Sequence, residues 1–261
     1  MTKSRARHVA EYRLRNMWKW KRAIVAYGLG SPVLYLASIG VGVGSLVDKH
    51  SGGHGMGGVP YLAFLAPALL ASAAIQGGQD EVTMPTLAGF VWEKLFFAMH
   101  ATSMTARQIA NGVLLAAAIR VVFTALTYWL VLFAFGAVPW TSALPLIACA
   151  VFAGLAFAAP MLWAASKVKN EDGFFSIVGR FIVTPMFLFS GTFYPLDSLP
   201  MTVRWVGWAS PLWHATEMGR ALSFGKGVAA PLFWVHVAFL CCLGLAGILL
   251  AHRQFERRLS A

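Results

Sequence analysis

Side chains that can do chemistry are few in this chain of 261 residues. His214, Glu217 and Arg220 follow one another at intervals of three residues in SPLWHATEMGRAL. On a helix, this spacing places the three side chains on neighbouring parts of one face, where an ion pair can form. Such a set either braces a helix or relays a proton. Because the segment is expected near water, we favour a structural brace on the outer side.

The other ionisable residues predict neither a catalytic centre nor a metal site. The chain has only ten Asp and Glu residues, and no Ser, His and Asp set lies in a recognisable nucleophile context. GHGMGG (53–58) has the spacing of a dinucleotide-binding loop but joins two apolar stretches. GRALSFGKG (219–227) has five residues between its first two glycines, whereas a P-loop has four. We therefore expect no cofactor on this chain.

Composition places the chain in a membrane. Hydrophobic residues make up 58% of the sequence and charged residues only 12%, which is more apolar surface than one soluble core buries. Crossing the hydrocarbon core takes about 20 apolar residues, and a spanning segment must be helical to pair its own backbone groups. The predicted fold is all-α, with six membrane spans: Ala23–Val47, Val59–Gly78, Gly112–Phe135, Ser142–Ser166, Phe174–Tyr194 and Pro231–Ala251.

The distribution of Lys and Arg predicts the orientation. Eight lie in residues 1–22, two in the 79–111 loop, three in 167–180 and three after Ala251, whereas four lie in the opposite loops. By the positive-inside rule, both termini are cytoplasmic in a multi-pass protein of the cytoplasmic membrane. The net charge of +11 is then a topology signal and a contact with anionic lipids, and no nucleic-acid partner is needed to explain it.

Two cytoplasmic segments are amphipathic. Residues 1–22 place Trp18 and Trp20 among basic residues, which favours a helix lying at the inner membrane surface over a frayed tail. The 79–111 loop is too long for a tight turn, and its pattern of apolar residues from Phe90 to Met99 predicts a helix. Such a helix either packs on the bilayer or docks into a groove of a soluble partner.

Four motifs, in order, carry a resemblance to a known family: YLAFLAPALLASA, GFVWEKLFFAMHATSMTARQIANG, FLFSGTFYPLDSLP and SPLWHATEMGRAL. The chain resembles the ABC-2 type transporter permeases over nearly its whole length. It is most similar to the branch with nodulation lipo-oligosaccharide exporters and daunorubicin-type drug exporters. The pattern S-G-x-F-x-P-L-x-x-L-P is the most specific of the signals, and the others support it by order and spacing.

The resemblance implies a subunit organisation and a site. Residues 1–22 correspond to the interfacial helix of the family, and residues 23–261 to a single six-helix membrane domain. A second permease, identical or homologous, completes the pathway, and separate subunits hold ATP and Mg²⁺. The loop helix around Phe90–Met99 is the coupling helix that docks into the ATP-binding subunit. Its candidate residues are Phe90, Trp92, Glu93, Lys94 and Met99. Ser103 stands where relatives often have proline.

The segment after the fifth span turns back near the outer interface. Gly191 permits an unusual turn, Pro195 and Pro200 prevent a simple helical continuation, and Asp197 is costly in hydrocarbon. The following apolar stretch is too short to span, so we predict short re-entrant helices within residues 191–230. The resemblance implies that they cap the transport path. Aromatic residues Phe187, Phe193 and Tyr194 are then candidates to line the path or, equally, members of an interfacial aromatic belt.

Arg120 lies near the inner end of the third predicted span. The simple interpretation is that its side chain extends to the cytoplasmic headgroups, and the sharper hypothesis is contact with an anionic lipid-linked substrate. Taken together, the sequence predicts the permease subunit of an exporter for an amphipathic substrate. A lipid-linked glycan, a lipo-oligosaccharide and a hydrophobic drug are the substrate classes. The alternatives are a membrane-embedded lipid-modifying enzyme and a stand-alone channel or secondary transporter.

Overall fold

The computed structural model describes residues 3–50, 56, 58–170, 173–224 and 230–260. Within these residues the regular structure is helical, apart from one isolated bridge between Met56 and Val59, and the all-α prediction is confirmed there. The α-helices are α1 (Lys3–Lys19), α2 (Lys21–Ala37), α3 (Ser45–His50), α4 (Tyr61–Val82), α5 (Met84–Phe90), α6 (Leu95–His100), α7 (Ala106–Ala134), α8 (Ala143–Lys167), α9 (Phe174–Val178), α10 (Thr184–Phe189), α11 (Met201–Trp208), α12 (Pro211–Phe224) and α13 (Ala230–Leu259).

Four stretches of the described chain are long and apolar enough to cross a membrane. They are Tyr61–Phe90, Ala106–Ala134, Trp140–Lys167 and Pro231–Leu259. These stretches correspond to the second, third, fourth and sixth predicted spans. A helix pairs most of its backbone groups within itself, as an apolar solvent requires, although Pro67 and Pro160 each remove one donor from their helix.

The other two predicted spans have a different form. The first lies in a continuous helical run in which a π-helical segment, Ser38–Gly44, joins α2 to α3. Three glycines in that segment weaken the α-helical hydrogen-bond pattern. The fifth is shorter than predicted, because the apolar helix Phe174–Phe189 ends five residues before Tyr194. Its π-helical segment, Gly179–Val183, joins α9 to α10. The count of six spans therefore stays a prediction.

Helix α8 lies at the centre of the bundle and packs against α4, α7, α12 and α13. The residues that face these neighbours include small ones, among them Ala153, Gly154 and Ala158, all fully or nearly fully buried. Small side chains let helix backbones approach closely, which is how helices pack in lipid where no hydrophobic force joins them. The bundle is thus held by close contact around α8.

The amino-terminal helix α1 packs on the bundle along one face. Val9 is completely buried, and α1 lies against α7. Arg13 is also buried, and its guanidinium forms an ion pair with Glu81 of α4 at 2.7 Å (Nη2 to Oε1) and donates to the Glu81 backbone carbonyl. Trp18 and Trp20 are exposed, and their predicted location at headgroup depth stays a prediction. One face of α1 therefore packs against the bundle, whereas the two tryptophans are exposed.

The ion pair between α1 and α4 generates a stability prediction. Arg13→Met leaves the Glu81 carboxylate buried without its main counter-charge, and breaking a buried pair in this way costs about 3–5 kcal/mol. We expect a clear fall in the melting temperature of the detergent-solubilised chain, measured by size-exclusion chromatography after heating. The double variant Arg13→Met with Glu81→Leu should recover most of the loss, because neither charge remains.

The exposed pair between Arg15 and Glu11 of the same helix is the matched control. Arg15→Met should cost less than about 1 kcal/mol, since exposed ion pairs contribute little. Equal losses from Arg13→Met and Arg15→Met would contradict a structural role for the buried pair.

Candidate functional site

The segment after α4, which the sequence predicts to be cytoplasmic, does not form the single helix predicted from Phe90 to Met99. Helix α5 ends at Phe90, and α6 begins only at Leu95. The carbonyl of Ala88 accepts hydrogen bonds from the backbone N–H groups of both Trp92 and Glu93, which closes α5. Lys94 then adopts a left-handed conformation, with φ of 50°, before α6 starts. An exposed turn therefore separates two short helices.

Packing of three aromatic rings explains the break. In a continuous α-helix, residues six positions apart differ by about 120° around the axis and cannot enter one cluster. The break lets Phe90 and Phe96 meet edge to face, with ring centroids 4.9 Å apart. Phe255 of α13 completes the cluster, 4.9 Å from Phe90 and 5.7 Å from Phe96. This contact reaches across more than 150 residues of sequence, so helical periodicity carries no information about it.

Two further contacts fix the segment on the bundle. A Cβ added at Gly89 would lie 2.6 Å from the ring of Phe96, so only glycine permits this approach. Arg258 of α13 lies over the ring of Phe90, 4.3 Å from its centroid. The same guanidinium donates to the carbonyls of Ser166 and Val168, at 2.6 and 2.7 Å, where α8 ends. The segment is therefore held against both α8 and α13.

The predicted coupling residues divide by exposure. Trp92, Glu93 and Lys94 form the exposed turn, with Trp92 54% exposed. Phe90 is buried in the aromatic cluster and cannot touch a partner, and Met99 is half-buried against the core. The exposed Phe97 was not predicted, although it lies in the same LFFAMH motif. We call Trp92–Glu93–Lys94 the exposed turn.

On the opposite side, the predicted brace is divided between two clusters. Arg220 pairs with Glu217 at 2.9 Å (Nη1 to Oε1) and lies over the ring of Phe64 in α4. Its guanidinium also donates to the carbonyls of Phe64 and of Gly191, the latter at 2.8 Å. Burial lowers the pKa of Arg220, and the Glu217 carboxylate opposes this shift. Arg220 thus joins α12 to α4 and to the turn at Gly191, where φ is +70°.

His214 does not join this pair. Its Nε2 lies 3.0 Å from the carbonyl of Trp208, and its Nδ1 lies 2.7 Å from Nδ1 of His236 in α13. Because a carbonyl only accepts, His214 carries its proton on Nε2 and accepts at Nδ1 from His236. Burial lowers the pKa of His214 to about 4, so its imidazole is neutral at physiological pH. The signal that sequence reasoning missed is His236 itself, a polar residue inside an apolar span.

The aromatic candidates for the substrate path lie where Phe174–Phe189 ends. Phe187 and Phe193 pack edge to face, with centroids 5.3 Å apart, and both are half-buried. Tyr61 of α4 donates to the carbonyl of Phe193, and Tyr194 donates to that of Leu188. The three predicted aromatics are thus close together, in a region held by α4.

Arg120 lies apart from these aromatics. Its guanidinium is 3.7 Å from the Asp80 carboxylate (Nη2 to Oδ2) and contacts the sulfur of Met17 at 3.9 Å. Its environment is therefore made by α1, α4 and α7, near the amino-terminal helix. The predicted set of substrate-path residues is not one site in the structure.

Comparison with known proteins bears on what these features do. Residues 7–224 match the family described as "ABC-2 type transporter". The chain belongs to this family. Its members are membrane permeases, the transport subunits of ABC transporters, and the family implies association with ATP-binding subunits.

Several relatives of this permease are called nodulation protein J. Those of Rhizobium leguminosarum bv. viciae and Rhizobium meliloti (strain 1021) are 27% and 28% identical to it, over 94% of the chain and 92% and 91% of the relatives. That of Sinorhizobium fredii (strain NBRC 101917 / NGR234) is 28% identical over 94% of the chain and 91% of its own length. No solved structure matches. The match to the family covers both the segment from α5 to α6 and the helices α11 and α12.

The aromatic cluster generates a prediction with a neighbouring control. Phe96 is completely buried and Phe97 is 38% exposed. Phe96→Ala should destabilise the permease by about 3–5 kcal/mol, as for other buried phenylalanines, and Phe97→Ala should cost much less. Melting temperatures in detergent measure both. Equal effects of the two substitutions would show that the cluster does not anchor the segment.

The His214–His236 contact generates a pH prediction. His214 takes up a proton near pH 6.5 when unfolded but only near pH 4 when folded. Between these values the unfolded state binds more protons, so stability falls as the pH is lowered. His214→Gln, which keeps a donor for the Trp208 carbonyl, should reduce this fall in melting temperature between pH 7 and 5. His8→Gln, at an exposed site of α1, should leave the slope unchanged, and identical slopes in all three proteins would contradict the prediction.

Proposed function

We propose that this chain is the permease subunit of an ABC exporter that moves an amphipathic substrate outward across the cytoplasmic membrane. Separate subunits bind and hydrolyse ATP with Mg²⁺, and a second permease, identical or homologous, completes the pathway. Family membership over residues 7–224 supports a transport subunit, and the exposed turn supports its coupling to a soluble partner. Residues 1–22 and 23–261 then act as one membrane unit with both termini cytoplasmic.

The exposed turn is the single observation that carries the coupling proposal. It presents Trp92 and two opposite charges to solvent, a composition suited to a groove with an apolar floor and charged rims. Beneath it, Phe90 and Phe96 pack on Phe255 of α13. Closure of the ATP-binding subunits would pull the turn, and the rigid cluster would pass the displacement to the bundle. A partner that binds one arrangement better shifts the equilibrium in this way.

The proposed topology has six spans. The helical run from α2 to α3 and the apolar helix Phe174–Phe189 would add two to the four stretches long enough to cross. Helices α11 and α12 would form the re-entrant region between the fifth and sixth spans. Arg220, buried between α12, α4 and Gly191, would hold that region over the aromatics Phe187 and Phe193.

The substrate proposed is a lipid-linked glycan, a lipo-oligosaccharide or a hydrophobic drug. The resemblance to exporters of such molecules supports this range. The half-buried pair Phe187 and Phe193 would supply apolar contact at the outer end of the path. The apolar part of such a substrate needs no charged residue at the outer end of the path in order to pass.

The test exchanges the charges of the exposed turn. Glu93→Lys combined with Lys94→Glu keeps the net charge but reverses the pattern offered to a partner. The tagged chain is purified from its native membranes in mild detergent, and co-purified proteins are identified by mass spectrometry. We expect an ATP-binding subunit to co-purify with the wild type. The exchanged variant should lose at least about 90% of the co-purified subunit, which corresponds to a loss of about 1.4 kcal/mol in binding free energy.

The control is the exchange Glu11→Lys with Arg15→Glu in α1, an exposed pair that the swap preserves in reversed order. It should retain the subunit and its ATPase activity. Loss of the subunit in both exchanged variants would contradict a specific role for the turn. Recovery of the intact wild-type chain without any ATP-binding subunit, in several detergents, would overturn the exporter proposal itself.

A further inference from the structure

A cleft opens between the amino-terminal helix and the third predicted span. Its volume is about 770 Å³, within the range of about 300–1,000 Å³ of small-molecule sites. The end of α1, the start of α2 and the middle of α7 form its walls. The lining includes the apolar residues Leu14, Ile24, Val25, Ile119 and Phe123.

Three cations line the same cleft. They are Lys21 and Arg22 at the start of α2, and Arg120 of α7. The described residues that line the cleft include no acid. Lys21 lies over the ring of Trp18, 4.4 Å from its centroid, and both are exposed. The cleft therefore has apolar walls, and three cationic residues are among those that line it.

Arg120 has unused hydrogen-bonding capacity. Among the described residues, no partner accepts from its buried Nε. Its Nη1 meets only the weak acceptor sulfur of Met17, and its Nη2 is 3.7 Å from Asp80, longer than a hydrogen bond. The other oxygen of Asp80 already accepts from Gln76 at 2.7 Å. The guanidinium of Arg120 has five N–H donors and few acceptors, and a phosphate is one of the groups that such a fork binds through two parallel hydrogen bonds.

The location of the cleft indicates that the molecule bound in it is a lipid. The cleft lies where α1 meets α2, on the side that carries most of the Lys and Arg residues, and beside tryptophans suited to headgroup depth. An anionic headgroup would meet the three cations, whereas the ammonium of a zwitterionic lipid would be repelled by them. The acyl chains would cover the apolar walls.

We propose that this cleft is a binding site for an anionic glycerophospholipid of the inner leaflet, with its phosphate between Lys21, Arg22 and Arg120. The lipid fixes the angle between α1 and α2 by contacting both helices and α7. It is a bound structural lipid, and its site is separate from the aromatics at the outer end of the path. The inference holds whether or not the chain is an exporter, because it rests on the cleft alone.

The test measures lipid binding to the full chain by native mass spectrometry. The protein is purified in a delipidating detergent and titrated with phosphatidylglycerol or with phosphatidylcholine of the same acyl chains. We expect one phosphatidylglycerol per chain to be retained at concentrations at which phosphatidylcholine is not. Lys21→Gln with Arg22→Gln should weaken phosphatidylglycerol binding about 25-fold, at about fivefold for each cation near a lipid surface.

Two further variants separate this site from general surface attraction. Arg15→Gln with Lys19→Gln removes the same charge from exposed positions of α1 outside the cleft, and should weaken binding less than about twofold. Val25→Trp fills the apolar wall without changing charge, and should remove the retained lipid. Equal weakening by the two charge variants, retention of the lipid by Val25→Trp, or equal binding of both lipids would each overturn the proposal. All variants are first checked for an unchanged elution volume and melting temperature without added lipid.

Discussion

The buried ion pair between Arg13 and Glu81 joins the amino-terminal helix α1 to α4, one of the helices long and apolar enough to cross a membrane. Glu81 lies one turn before α5, so α1, α4 and the segment that leads to the exposed turn share one connection. Removal of two charges from water is costly, and it is offset here by a close contact and a second hydrogen bond to the backbone. Because α1 also packs on α7, the amino-terminal helix is attached to the bundle at two of its helices. The proposed coupling segment and the cleft beside α1 are thus both connected to α4 and α7.

The sequence predicted the features that depend on composition and local spacing. Apolar runs gave the all-α class and the positions of four helices that match the predicted spans, and the order of four motifs gave the family. Prediction from the sequence was wrong where contacts between residues far apart in the chain decide the local secondary structure. The stripe from Phe90 to Met99 fits a helix, yet Phe255, far away in the chain, draws Phe90 and Phe96 to one point and breaks that helix. The spacing of His214 and Glu217 fits an ion pair, yet His236 offers His214 a nearer partner.

Several buried polar groups around Gly191 find hydrogen-bond partners within the protein. Arg220 donates to two carbonyls and an acid, and the hydroxyl of Ser190 donates to that of Ser210 at 2.6 Å. A chain that leaves the helical conformation at Gly191 exposes backbone groups that lipid cannot bind, so these side chains are what permits the turn. The residues that make the outer region possible are therefore also those that hold it to α4. A substitution of these residues is therefore expected to change both the fold and the candidate path.

The short apolar helix Phe174–Phe189 has a consequence for the bilayer itself. At about 1.5 Å per residue it reaches about 24 Å, whereas the hydrocarbon core is about 30 Å thick. In the proposed six-span topology, a helix with such a negative hydrophobic mismatch would draw the two leaflets toward each other where lipid touches both of its ends. The local thinning would shorten the distance over which a polar headgroup of the proposed substrate travels through hydrocarbon. The permease would then lower the barrier by deforming the membrane beside it as well as by lining a path.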